Sequence, residues 1–142
     1  MSRIARTDSD WVEKTDLHGR SFREIDLSGD SIGVKIEEIP PGSTSSEHHF
    51  HTLEEEHVIA IEGEATLCLG EEKFPLVAGD HVWFKAGEET AHHLENTSDT
   101  NFKYLVFGER NKGDVVVYPE HQVMMIKRLE NKQYTYRNIN KE

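Results

Sequence analysis

Short apolar runs alternating with polar residues, broken by Gly, Pro or acidic turns, recur along this chain at intervals of about ten residues, with no long helical period between them. Such punctuation leaves no room for helical layers and predicts an antiparallel sandwich or barrel. In the first clear strand Ile32, Val34, Ile36 and Glu38 fall on one face and Gly33, Lys35, Glu37 and Ile39 on the other, until Pro40-Pro41-Gly42 stops the run. Val58 to Ile61, Glu62-Gly63-Glu64 and Ala65 to Leu69 read as strand, tight turn, strand. Lys73 to Val77 follows as a short strand whose Pro75 lacks an amide donor and so belongs at an edge or bulge. His81 to Phe84, His92 to Glu95 and Phe102 to Phe107 continue the pattern. Trp83 and Phe84 have opposite parity, so one of them must face the interior.

The flanks are weaker. Residues 1 to about 30 are polar, with a faint strand signal at Ser21 to Leu27, and read as an arm. Beyond Gly108, Val115 to Tyr118 and Val123 to Ile126 suggest further strands, and Gln133 to Arg137 a last one. The expectation is one domain over 1–142, with a barrel core at about 31–108, an N-terminal arm at 1–30 and a C-terminal extension at 109–142.

Only 35% of the 142 residues are apolar and 30% are charged, but the apolar ones are clustered, which favours a folded β protein over disorder. A chain this long can bury roughly two-thirds of its unfolded surface. Lys and Arg number 16 against 27 Asp and Glu, and the net charge of −11 repels polyanions, so nucleic acid is not an expected partner. No run has signal-peptide or membrane-spanning length, and the single cysteine, Cys68, fits a reducing compartment. A cytoplasmic protein without a membrane partner is expected. Cys68, in an apolar strand, reads as a small core residue.

Chemistry concentrates in two segments, Glu47-His48-His49-Phe50-His51 with Glu54, Glu55 and Glu56 behind it, and Ala91-His92-His93-Leu94-Glu95-Asn96. Imidazoles and carboxylates set on strands are what a divalent transition metal needs. His49 and His51, two residues apart, point to one face of an extended segment. Glu56 is at an odd offset from His51, so the stretch 52–55 must turn if it is to join them; Val58 and Ala60 would then face inward with it, and His57 outward. In the second segment His92, Leu94 and Asn96 share a face and His93 takes the other. His48, His57, His81 and His93 are expected outside the site, and Glu54 and Glu55 in a solvated loop. Lys85, Lys103, Tyr104, Arg110 and Tyr118 are candidates to reach a substrate if their strands end near the metal.

The spacing His49-x-His51-(x4)-Glu56-(x6)-Gly63 resembles the first motif of the cupin family, and Gly79-(x5)-Lys85-x-Gly87-(x4)-His92-(x3)-Asn96 is similar to the second. The resemblance covers roughly Ile32 to Phe107 and implies an all-β, double-stranded β-helix (jelly-roll) barrel with a metal inside one mouth. It places the metal ligands on His49, His51, Glu56 and His92, the gap to Gly63 selecting Glu56 over Glu55. Lys85 stands where the family usually has proline, and the loop from Gly87 to His92 is two residues longer than the usual form. It further implies a divalent transition metal, Fe, Mn, Ni or Zn, and a small-molecule ligand or substrate. Small cupins commonly exchange terminal strands, so a homodimer is expected. The function implied is a metal-dependent enzyme on a small polar metabolite, an isomerase, lyase or dioxygenase, with a non-catalytic metal or ligand sensor as the alternative.

Overall fold

The computed structural model describes Ile4, residues 6–16 and residues 19–137. Among the described residues the regular elements are strands apart from one 3-10 turn at Lys127–Leu129. In chain order the strands are β1 (Val12–Thr15), β2 (Ser21–Asp26), β3 (Ile32–Ile39), β4 (Phe50–His51), β5 (Glu56–Glu62), β6 (Glu64–Leu69), β7 (Glu72–Val77), β8 (His81–Phe84), β9 (His92–Glu95), β10 (Phe102–Glu109), β11 (Val115–Tyr118), β12 (Val123–Ile126) and β13 (Lys132–Thr135). No described helix is long and apolar enough to cross a membrane.

One sheet runs β1-β2-β3-β10-β5-β8, entirely antiparallel. Facing it are β13-β12-β11-β4 and β7-β6-β9, joined by bridges Thr44↔Glu95 and His49↔His92. The result is the double-stranded β-helix that the cupin resemblance implies, and it falls within the sandwich-or-barrel class that the strand spacing predicts. Pro75 lies in β7, an edge strand, where a missing donor costs no ladder bond.

Strand alternation decides what the barrel encloses. Glu24, Glu37, Tyr104 and Ala60 stand opposite one another across β2, β3, β10 and β5 and share the inward face. Ile39, Val58, Ala60, Leu67, Leu94, Phe102 and Tyr104 belong to one buried cluster, with Phe84 at its edge. Phe84 is therefore the inward member of its pair, and Trp83 is exposed. The β5–β6 turn is held by Gly63 at φ +85°: a Cβ there would lie 2.5 Å from the Asn101 carbonyl oxygen.

The two flanks carry the strands that their sequence suggests, β2 before the barrel and β11, β12 and β13 after it, and one that it does not, β1. The N-terminal segment pairs within its own chain, β1 on β2 and β2 on β3, and so extends the sheet edge. β1 escapes sequence reading because all four of its residues are exposed and show no alternation. The C-terminal strands extend the barrel wall, β11 pairing with β4 through Val116↔His51 and Val117↔Phe50.

Candidate metal centre

The two histidine segments meet because the chain from 42 to 49 runs antiparallel to β9. His49 and His92 exchange backbone hydrogen bonds of 3.2 and 2.8 Å, the Ser45 amide donates to the Leu94 carbonyl, and the Asn96 amide donates to that of Ser43. Asn96, almost fully buried, closes the end of this ladder by donating to the Ile39 and Thr100 carbonyls. Its place in the motif is thus explained by turn architecture.

Side chains from three strands converge in the barrel. Ligand atoms of His49, His51 and Glu56 lie within 4.8 Å of one another. His51 Nε2 is 3.3 Å from Glu56 Oε2, and His92 Nε2 is 3.4 Å from Glu56 Oε1, so the carboxylate bridges two imidazoles. The His49 ring lies 4.7 Å from that of His92 and 5.1 Å from that of His51, centroid to centroid. All four sequence candidates are brought together.

The outer nitrogens fix how these rings face. His49 Nδ1 meets the Glu47 carbonyl at 2.8 Å, and His51 Nδ1 meets Asp114 Oδ2 at 2.8 Å, which leaves both Nε2 atoms for the interior. His92 stacks flat on Phe84 at 3.5 Å, and its Nδ1 is buried with no hydrogen-bond partner among the described residues. Three imidazoles and one carboxylate, two of the rings oriented from behind, fit a divalent transition metal and leave coordination positions open.

The charges respond to this crowding. Burial, then the neighbouring His92, pushes His49 down to about 3, so its ring is neutral as a ligand must be. Burial would also lower His51, but hydrogen bonds to Asp114 and Glu56 outweigh it and raise the imidazole to about 9. Burial alone would raise Glu56, yet hydrogen bonds from His51 and His92 hold it well below the ordinary carboxylate range. Without metal, a proton on His51 faces an ionised Glu56.

Space adjoins the cluster. A chamber of about 190 Å³ is lined by His49, Glu56, His92, Phe84, Glu37 and Tyr104. It shares Glu37, Glu56 and Val106 with an outer vestibule of about 800 Å³, on whose wall stand Lys35, Arg110 and Lys112. Glu37 accepts a short hydrogen bond from the Tyr104 hydroxyl. Burial raises the Glu37 carboxyl to about 7 against that bond, and burial with the Glu37 charge beside it keeps the Tyr104 phenol well above its usual value. A proton acceptor poised near neutrality thus faces the same chamber as the histidines.

Other candidates fall elsewhere. Lys103 pairs with Glu62, and Lys85 lies over the exposed Trp83. Arg110 donates to the Gly29 carbonyl at the vestibule, and the Tyr118 ring sits 5.9 Å from that of His49. His57 is outward, stacked on Trp83 and Phe107, as its parity implied. Glu54 is not in a solvated loop: it is buried, pairs with Lys127 at 2.5 Å and accepts from the Asn111 amide. His51, Glu54 and Asp114 also form a compact donor group, but the Lys127 ammonium already serves both carboxylates, at 2.5 and 3.8 Å. Cys68 is buried but lies outside the apolar cluster, on the β6 face opposite His93.

Sequence reading missed Asp114 and Glu37. Asp114, fully buried, also accepts from the Leu53 amide at 2.8 Å, and nothing in its spacing from His51, 63 residues away, announces this. Glu37 had a signal: it shares strand parity with Ile39, a core residue.

The cupin domain family matches residues 35–108, slightly more than half of the chain. A sugar phosphate isomerase of the cupin superfamily from Silicibacter pomeroyi shares 28% identity, with 73% of this chain and 69% of that one covered and a TM-score of 0.71. A proposed sugar phosphate isomerase from Acidithiobacillus ferrooxidans shares 26% identity, covering 86% and 84% of the two chains at a TM-score of 0.79. A predicted oxalate decarboxylase from Thermotoga maritima, at 20% identity, shares the fold, with 76% of this chain and 99% of that one covered and a TM-score of 0.65. No curated protein matches by sequence. With His49, His51 and Glu56 gathered in the barrel, His92 beside Glu56 and the family matched over residues 35–108, the chain belongs to the cupins.

Proposed function

We propose that the chain is a metal-dependent isomerase of a small sugar phosphate, with His49, His51, Glu56 and His92 as metal ligands. The observation that carries this reading is Glu37, a carboxylate whose ordinary acidity is shifted to about 7, on the wall of the chamber those residues line. Moving a carbonyl between adjacent carbons through an enediol needs one group that takes a proton from carbon and delivers one to the neighbouring carbon. The names of the Silicibacter and Acidithiobacillus proteins support the substrate class.

Held by the four residues, a divalent ion would supply Lewis acidity toward the negative charge that develops on the substrate oxygens. Glu37 takes the proton from the carbon beside the carbonyl; the C–H electron pair becomes a C=C bond and the carbonyl π pair moves to its oxygen, giving an enediolate. Glu37, whose proton exchanges with solvent, then returns a proton to the former carbonyl carbon while the hydroxyl proton of the neighbouring carbon passes to the former carbonyl oxygen, which completes the exchange of aldose and ketose. Tyr104, which stays protonated, orients Glu37 by donating to it. Lys35, Arg110 and Lys112 line the vestibule where the phosphate end of a short sugar would emerge.

The test is incubation of the metal-loaded protein in deuterated water with a panel of aldose and ketose phosphates, read by NMR. Deuterium uptake at carbon, abolished by Glu37→Gln with metal content intact, is expected. Stoichiometric metal with neither exchange nor interconversion on any member of the panel would overturn the isomerase reading and favour a sensor. We also propose a homodimer, supported by exposed Ile32, Ile61 and Trp83 on the outer face of the six-stranded sheet. Light scattering at the monomer mass would refute it.

A further inference from the structure

A second group of ligand-type side chains lies on the side of β9 facing away from His92. Cys68 stands directly across from His93 in the β6–β9 register, and Glu95 follows His93 by two residues, so the three share one face. Their Sγ, imidazole nitrogen and carboxylate oxygen lie within 4.8 Å of one another. Two adjacent strands fix all three Cα positions, as they do for His49 and His92 inside the barrel.

The hydrogen bonds around His93 sharpen this arrangement. Its Nδ1 donates to the Ser46 carbonyl at 3.1 Å, which turns the Nε2 lone pair toward Glu95 Oε1, 3.2 Å away. Two acceptors facing each other at that distance call for a proton or a metal cation between them. The separation also matches the edge of a tetrahedral zinc site, about 3.3 Å for nitrogen and oxygen each about 2.0 Å from the ion. Beside His93, with ring centroids 4.8 Å apart, lies His48; its Nδ1 meets Glu120, and its buried Nε2 has no hydrogen-bond partner among the described residues.

We propose that Cys68, His93 and Glu95 form a second divalent-metal site, of the zinc type, with the His48 ring beside it as a further donor. Thiolate, imidazole and carboxylate together select zinc or cobalt over magnesium or calcium. Binding breaks the Cys68 S–H bond: the proton leaves to buffer, the sulfur lone pair goes to the ion, and nothing is oxidised or reduced. Lys73, 3.7 Å from Glu95 and 66% exposed, has room to swing away as the ion enters. Once filled, the site clamps β6 to β9, the strand that carries His92 on its inner face.

The test is titration of the full chain with Co²⁺, followed by absorption and by native mass spectrometry. We expect two ions per chain and a near-ultraviolet thiolate-to-cobalt band. Cys68→Ser and His93→Gln should each lose the band and one equivalent while keeping the other ion. His51→Ala should keep the band, and Zn²⁺ should still raise its melting temperature. If Cys68→Ser does not fold, Glu95→Gln and His93→Gln carry the same test from partly exposed positions. A single equivalent without a thiolate band in the wild type, or a band that persists in His93→Gln, overturns the proposal.

Discussion

Asp114→Asn isolates a buried side-chain contact that ties the C-terminal segment to the candidate metal centre. Asp114 accepts from the Leu53 amide through Oδ1 and holds His51 Nδ1 through Oδ2, both at 2.8 Å. Asparagine can keep its oxygen toward the Leu53 amide, so the loop retains its bond. Its amide nitrogen then faces His51 Nδ1 and donates to it, which moves the imidazole proton to Nε2, the atom the metal needs. Loss of an outer-shell partner of this kind costs about 10–100-fold in metal affinity, or roughly 1.4–2.8 kcal/mol.

The pH dependence makes the prediction specific. In the wild type His51 holds its proton to about 9, so below that pH the entering metal must displace it. Affinity should then rise by about tenfold per pH unit up to that value. The same carboxylate that stabilises the proton stabilises the metal, so removing it weakens both. Near neutrality the weaker proton competition offsets part of the lost metal affinity; at higher pH nothing offsets it. The gap between wild type and Asp114→Asn should therefore be about tenfold near pH 7 and widen toward about a hundredfold as pH passes through 9. Competition against a chromophoric chelator across this range measures it, with circular dichroism as the check on folding. Equal affinities, or a gap that stays constant with pH, would refute the argument that Asp114 acts through His51.

Three further outcomes follow from the geometry. In metal-free protein Glu37 keeps its proton to about 7, while the unfolded chain gives it up near 4.5. Its contribution is thus fully present below about 4.5, and about 3 kcal/mol of stability is lost as pH rises through 7. Glu37→Gln should flatten that decline in thermal melts at graded pH, and an unchanged slope would contradict the shift. Gly63→Ala, at φ +85° with the Asn101 carbonyl 2.5 Å from the new Cβ, should cost about 2–4 kcal/mol in urea titrations. Phe84→Ala should cost about 3–5 kcal/mol and weaken metal binding as well, because it removes the wall on which His92 lies flat; a variant that loses stability but binds metal as tightly would show the stack to be structural only.

What the chain declares about itself depends on how local the cause is. Alternation over four or more residues reports a half-buried strand, so β3, β5, β6 and β10 are readable, whereas β1, exposed throughout, leaves no trace. His49 and His51 are readable as a pair because a two-residue step on a strand is a chelating step, and His92 because its segment carries the matching pattern. The burial of Glu54 is not legible for the opposite reason: Lys127 and Asn111, which make it tolerable, lie 73 and 57 residues away. Asp114 belongs to the same class, and it lies beyond residue 108, where the family match ends. The four ligand candidates are thus written in local spacing, while the group that orients one of them and the Glu37 carboxylate proposed as the base come from the closure of the barrel. For that reason transplanting the motifs alone should bring donors together without setting their protons, and the C-terminal segment is part of the site's chemistry.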